Sequence, residues 1–221
     1  MKLLKRVAAT GALLSFIGGY VDVAGFLGLH GLFAAHITGN FATLCAALVL
    51  GRHDLIGKLL ALPEFVAVIA LARLSSALLP VRHTPARRIL MAIEVAFLAV
   101  FFALAVSFGP FSNADTAPAL FTAFAAIAAM AVQNEMQRVY MPGVPPSTYM
   151  TGNATNATVA LVGLATGDSR RQNAPMRARA GHMTLHLACF GVGCAAAAAL
   201  YWQFGFWCLV VPVALTPLAA L

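Results

Sequence analysis

Hydrophobic residues in this sequence come in runs of bilayer length, separated by short polar gaps that hold most of the basic residues. Apolar stretches lie at about 8–28, 38–51, 58–80, 89–108, 117–140, 150–166, 183–203 and 205–221. A helix rises about 1.5 Å per residue, so roughly 20 apolar residues cross a hydrocarbon core. Most of the runs approach that length. Those at 38–51 and 150–166 fall short, and the run at 205–221 is a tight fit. Only 10% of the residues are charged, against about 25% in a soluble domain. Too little polar surface remains to keep a body of this size in water. The fold class expected is all-α, a polytopic transmembrane helix bundle of about 6–8 helices forming one domain over 1–221.

The gaps carry helix breakers. Gly51-Arg-His-Asp54 closes one run, Pro80 to Arg88 closes another, Gly109 to Asp115 is a turn-rich loop, and Met141-Pro-Gly-Val-Pro-Pro146 cannot continue a helix. Gly167 to Gly181 is the longest polar stretch and the most basic. The N-terminal Met1-Lys-Leu-Leu-Lys-Arg6 mimics a signal peptide, but the apolar run continues to about Leu29 without a convincing cleavage site, so it reads as a retained first helix.

Lys and Arg collect on the cytoplasmic side of a membrane. The N-terminus holds three, Arg52 to Lys58 two, and Arg170 to Arg179 four, while Arg82, Arg87 and Arg88 form a competing group. With eight crossings and the N-terminus inside, only that competing group falls outside. A short segment that failed to cross would invert everything downstream. The expectation is a multi-pass protein with a cytoplasmic N-terminus. The +7 net charge is thereby assigned to a membrane surface, and no nucleic-acid partner is expected. The four cysteines sit within apolar runs, form no C-x-x-C pair and suggest no disulfide framework.

A duplication is the most informative motif. Thr38-Gly39-Asn40 recurs as Thr151-Gly152-Asn153, a shift of 113, and Ala47-Leu48-Val49 recurs at the same shift as Ala160-Leu161-Val162. Shifted likewise, Asp22 lands on Glu135, and each is an acid near the end of a long apolar run. Two repeats are therefore expected, at about 8–108 and 117–221. Eight spans would make them parallel, and seven inverted. Repeats with interrupted hydrophobic segments at matching positions are the sequence pointer to a transporter site.

Each T-G-N motif reads as a break between irregular chain and a new helix. Gly39 permits backbone conformations denied to other residues. Asn40 or Thr38 can cap the free N–H groups at the helix start. Irregular backbone at membrane depth is tolerated only where protein buries it or water reaches it. An ionisable side chain within a span costs at least about 2.5–3.5 kcal/mol, so Asp22 and Glu135 need a reason to be there. Gln133, Asn134, Gln137 and Arg138 surround Glu135, and Arg138 is three residues on, close enough to pair with it on one helix face. The candidate solute-binding residues are Asp22, His36, Thr38, Asn40, Gln133, Glu135, Arg138, Thr151 and Asn153, with the acids expected to bind a cation or proton. His30 and His36 miss the helical spacing of a metal pair, and no metal or cofactor is expected. No P-loop, H-E-x-x-H or G-x-S-x-G occurs, so no enzyme is expected. Gly191-Val-Gly-Cys-Ala195 offers a small-residue face for helix packing or a homo-oligomer contact.

Gly19-Tyr20-x-Asp22-x-x-Gly25-Phe26 followed by His36-x-Thr-Gly-Asn40 resembles the YoaK-like bacterial inner-membrane proteins. So does Gln133-Asn134 with Arg138, then Thr148-x-Met150-Thr-Gly-Asn153. The resemblance covers nearly the whole chain and departs at Glu135, where a small residue is commoner. It implies a polytopic protein of the bacterial inner membrane, and it implies no substrate or mechanism, because that family is grouped under a domain of unknown function. Two functions fit the residues. One is a permease for a small polar solute or ion, with its site between the repeats in the lipid bilayer. The alternative is a non-transporting scaffold or partner-binding subunit whose T-G-N motifs are structural caps.

Overall fold

The structure is a computed structural model that describes residues 2–78, 83–141, 146–166 and 174–220. The expected breaks at Pro80–Arg82, Pro142–Pro145 and Gly167–Arg171 lie outside the described residues. The fold is an all-helical bundle, with no strand among the described residues. Its helices are α1 (Lys2–Gly28), α2 (Gly39–Val49), α3 (Ile56–Leu78), α4 (His83–Phe108), α5 (Ala117–Tyr140), α6 (Met150–Ala165), α7 (Ala174–Phe204) and α8 (Val210–Leu215). Short 3-10 segments over Gly205–Leu209 and Thr216–Ala220 flank α8. Four stretches are long and apolar enough to cross a membrane: Ala8–Gly28, Ala86–Phe108, Ala117–Tyr140 and Ala180–Ala219.

Local chemistry sets the helix limits. α1 stops where His30 and Gly31 take left-handed backbone angles, φ 55° and 88°, a conformation that ends a helix. α5 begins with Pro118 in its first turn, where a missing N–H costs no hydrogen bond. Between such limits a helix satisfies its own N–H and C=O groups, as hydrocarbon demands.

Three connections are knotted together at one end of the bundle. His30 Nε2 lies 2.8 Å from the Phe111 carbonyl, and its Nδ1 lies 3.3 Å from Asp54 Oδ2. The Asp115 carboxylate accepts from Leu55 N at 3.0 Å and Ile56 N at 2.8 Å. Asp54 in turn accepts from Ala114 N at 3.0 Å. The end of α1 and the starts of α3 and α5 therefore share this end, and α1 and α5 run in opposite directions.

Glycines set the helix pairing. α1 packs most extensively against α7, in parallel, since Gly19 meets Phe190 and Cys194 while Gly28 lies beside Tyr201, and Gly193 sits against Phe16 at the crossing. A Cβ on Gly193 would sit 2.1 Å from the Phe16 carbonyl oxygen, and one on Gly19 would sit 2.3 Å from that of Phe190. Of the expected small-residue face, Gly193 is thus an internal contact, while Gly191 looks onto open space. α3 lies along α5 in the same parallel sense, with Gly57 near Leu120 and Arg73 near Glu135. The C-terminal segment turns back at the knotted end. There Phe206 packs beside Gly28 and Gly109, and the Tyr20 hydroxyl donates to the Cys208 carbonyl at 2.9 Å.

The two short runs become helices that do not traverse the bundle. After Gly28 the chain doubles back along α1, and Ala35 N and His36 N donate to Asp22 Oδ1 at 2.8 and 3.1 Å. Asp22 is six residues before the end of α1, so this turn sits roughly 9 Å inside that end. α2 then returns to Asp54, at the end the chain came from. The second copy mirrors this from the opposite end. Beyond Tyr140 the chain doubles back along α5, where Ser147 N donates to Gln137 Oε1 at 2.9 Å. α6 leads into α7, whose far end lies beside Gly28, so α6 finishes at the end where it began.

Candidate functional site

Each hairpin is braced by the asparagine of its T-G-N motif. Asn40 Nδ2 donates to the Phe33 carbonyl at 2.8 Å, and Asn40 Oδ1 accepts from Phe33 N at 2.8 Å. Asn153 Nδ2 donates to the Pro146 carbonyl at 3.1 Å. Phe33 and Pro146 are themselves related by the shift of 113, so one bond recurs in both copies. The second cannot recur, because proline has no N–H. Both asparagines are buried.

These asparagines do not cap their helices in the way the motif suggests. Neither Thr38, before α2, nor Tyr149, before α6, makes a side-chain cap bond. Asn40 reaches back seven residues into the loop instead. The start of α2 is satisfied by tight backbone bonds, Gly39 N to His36 O at 2.9 Å and Asn40 N to Ile37 O at 3.1 Å.

The second hairpin is held by amides on α5. Gln133 Nε2 donates to the Leu14 carbonyl at 3.0 Å and to Ser147 Oγ at 2.5 Å. Ser147 Oγ donates to Gln137 Oε1 at 2.7 Å. Asn134 Nδ2 donates to the Thr148 hydroxyl, and its Oδ1 accepts from Arg138 Nε at 3.0 Å. Asp22 does with a carboxylate in the first copy what this amide cluster does in the second.

Between the hairpin tips lies an open cavity of about 380 Å³. The first hairpin supplies His36 and Thr38, the second supplies Thr148 to Thr151, α5 supplies Asn134 and Arg138, and α3 supplies Leu62 and Phe65. Both T-G-N threonines therefore face one space.

The expected site residues divide into three groups. His36, Thr38, Arg138 and Thr151 line the cavity. Asp22, Asn40, Gln133 and Asn153 stand behind it as braces. Glu135 does neither: it is 5% exposed and its Oε1 lies 3.6 Å from Arg73 Nη1 on α3. Glu135 makes its ion pair with Arg73 rather than with Arg138, whose Nε donates to Asn134, although Arg138 stays near enough to act on Glu135 electrostatically. His30 and His36 belong to different pockets. Asn134 and Thr148 line the site although neither was singled out for binding. Leu62 and Phe65 carry no motif, and their place follows only from how α3 packs on α5.

A family model described as "Protein of unknown function (DUF1275)" matches residues 10–221. No curated protein and no solved structure is detectably similar. With nearly its full length matched, the chain belongs to the DUF1275 family of proteins of unknown function.

Proposed function

We propose that this protein is a membrane permease for a small polar solute, with its site between two inverted repeats. One observation carries the reading: the two T-G-N breaks, 113 residues apart in sequence, line the same cavity. Irregular backbone and helix starts at the interface of repeats are how secondary transporters build their sites. α2 acts as a re-entrant hairpin while α1, α3 and α4 cross, so three crossings precede α5 and the second repeat is inverted.

This topology also removes the conflict among the basic groups. Among the described residues, the N-terminus, Arg87, Arg88 and the start of α7 fall on one side, with Arg52 and Lys58 on the other. That asymmetry supports a bacterial inner-membrane protein with a cytoplasmic N-terminus.

The scaffold reading draws on the braces at Asp22, Asn40, Gln133 and Asn153, which would hold the hairpins whether or not anything passes. Flux separates the two. Purified protein in liposomes should conduct at least one solute from a panel of small anions, cations and polyols. Thr151→Trp, which fills the cavity, should stop that flux while the protein keeps its gel-filtration profile. A correctly folded wild type that passes nothing on the panel favours the scaffold.

A further inference from the structure

The permease reading leaves open what the cavity selects, and the expectation from sequence was a cation or proton held by the two acids. The side chains point the other way. Neither Asp22 nor Glu135 lines the cavity, and no other acid does so among the described residues. Asp22 Oδ1 is occupied by the hairpin amides and Glu135 by Arg73. The one fixed charge among the described lining residues is Arg138.

We propose that the cavity binds a small monocarboxylate, with the carboxylate on Arg138 and the carbon chain against Leu62 and Phe65. Resting on the permease reading, this names its substrate class. Asn134 accepts from Arg138 Nε at 3.0 Å and so fixes the guanidinium plane. The two Nη groups make no ion pair or hydrogen bond among the described residues. A guanidinium held by Nε keeps its Nη pair available to meet two carboxylate oxygens at once.

The start of α6 adds donors to the same place. Asn153 N bonds to the Tyr149 carbonyl, but Met150, Thr151 and Gly152 precede the first intrahelical bond, so their N–H groups have no partner among the described residues. Met150 and Thr151 both line the cavity. Free amides and the helix dipole at such a start favour an anion. α2 contributes less, since its first amides are already satisfied. Leu62 and Phe65 on the α3 wall give an apolar face that an inorganic anion would not use, which points to an organic one.

The test uses the full chain in liposomes with labelled lactate, choline and xylitol as probes, together with thermal melting in detergent in 10 mM sodium lactate or sodium chloride (both ~10 mM sodium, hence matched in ionic strength). Lactate uptake with a lactate-specific rise in melting temperature is the expected result. Arg138→Gln should cut uptake about 10- to 100-fold, the range for losing a charged hydrogen-bond donor. Arg138→Lys should recover only part of it, since lysine keeps the charge but not the fork. If Arg138→Gln fails to fold, Arg138→Lys carries the comparison alone. Uptake of choline or xylitol without lactate would overturn the anion assignment and leave the permease reading standing. A lactate-specific stabilisation lost in Arg138→Gln, with no uptake of any probe, would uphold the anion site and remove the permease reading. Neither uptake nor stabilisation would overturn both.

Discussion

Asp22→Ala is expected to lower the melting temperature of the purified protein by about 10 °C, from a loss of roughly 3–5 kcal/mol. The loss comes from the hairpin. Asp22 is 3% exposed and one of its oxygens accepts from both Ala35 N and His36 N. Removing the carboxylate leaves the buried Ala35 amide and the neighbouring His36 amide without their acceptor, and a hydrogen bond to a charged group is worth about 1.5–3 kcal/mol. Asp22→Asn should cost far less, because the amide oxygen can accept both bonds, though without charge assistance. The pair of variants separates a structural brace from an ion ligand. Equal damage from both would mean that the charge itself matters, as it would for a bound cation. Melting followed by fluorescence-detected gel filtration reads the difference.

Gly193→Leu should also be severely destabilising, at about 3 kcal/mol or more. The side chain would have to occupy the space where Phe16 presents its backbone carbonyl, 2.1 Å from the position of a Cβ. Backbone does not yield as a flexible side chain does, so α1 and α7 would have to part. Gly191→Leu, two residues away and facing open space, is the matched control and should melt within about 2 °C of wild type, as a surface change does. Similar melting for the two variants would contradict the parallel packing of α1 on α7.

Much of this was present in the sequence. Run length and scarcity of charge are properties of composition, and they suffice for a helical bundle. The T-G-N duplication located both hairpins because a buried chain reversal needs particular residues, and those residues recur. The path of the short helices was less accessible. An apolar run of eleven residues, such as α2, has the same local pattern whether it crosses or returns. What decides is the distant bond from Ala35 and His36 to Asp22.

The roles of the acids were the least accessible. Asp22 and Glu135 match in repeat register, yet one braces a hairpin and the other meets Arg73. Register conserves position along a helix, while the partner depends on what the neighbouring helix brings. At the second hairpin, Gln133, Asn134 and Gln137 supplied bonds that freed Glu135 from that task. Proline at 146 similarly removed half of the asparagine brace.

The meeting of the two hairpins can be measured without any substrate. In a background with Cys45, Cys189, Cys194 and Cys208 replaced, Thr38→Cys and Thr151→Cys are combined and treated with a short bismaleimide, and the linked peptides are sought by mass spectrometry. Efficient intramolecular linkage is predicted, since both threonines border one cavity. Two cysteines that each react singly but never link would show that the interruptions face different spaces.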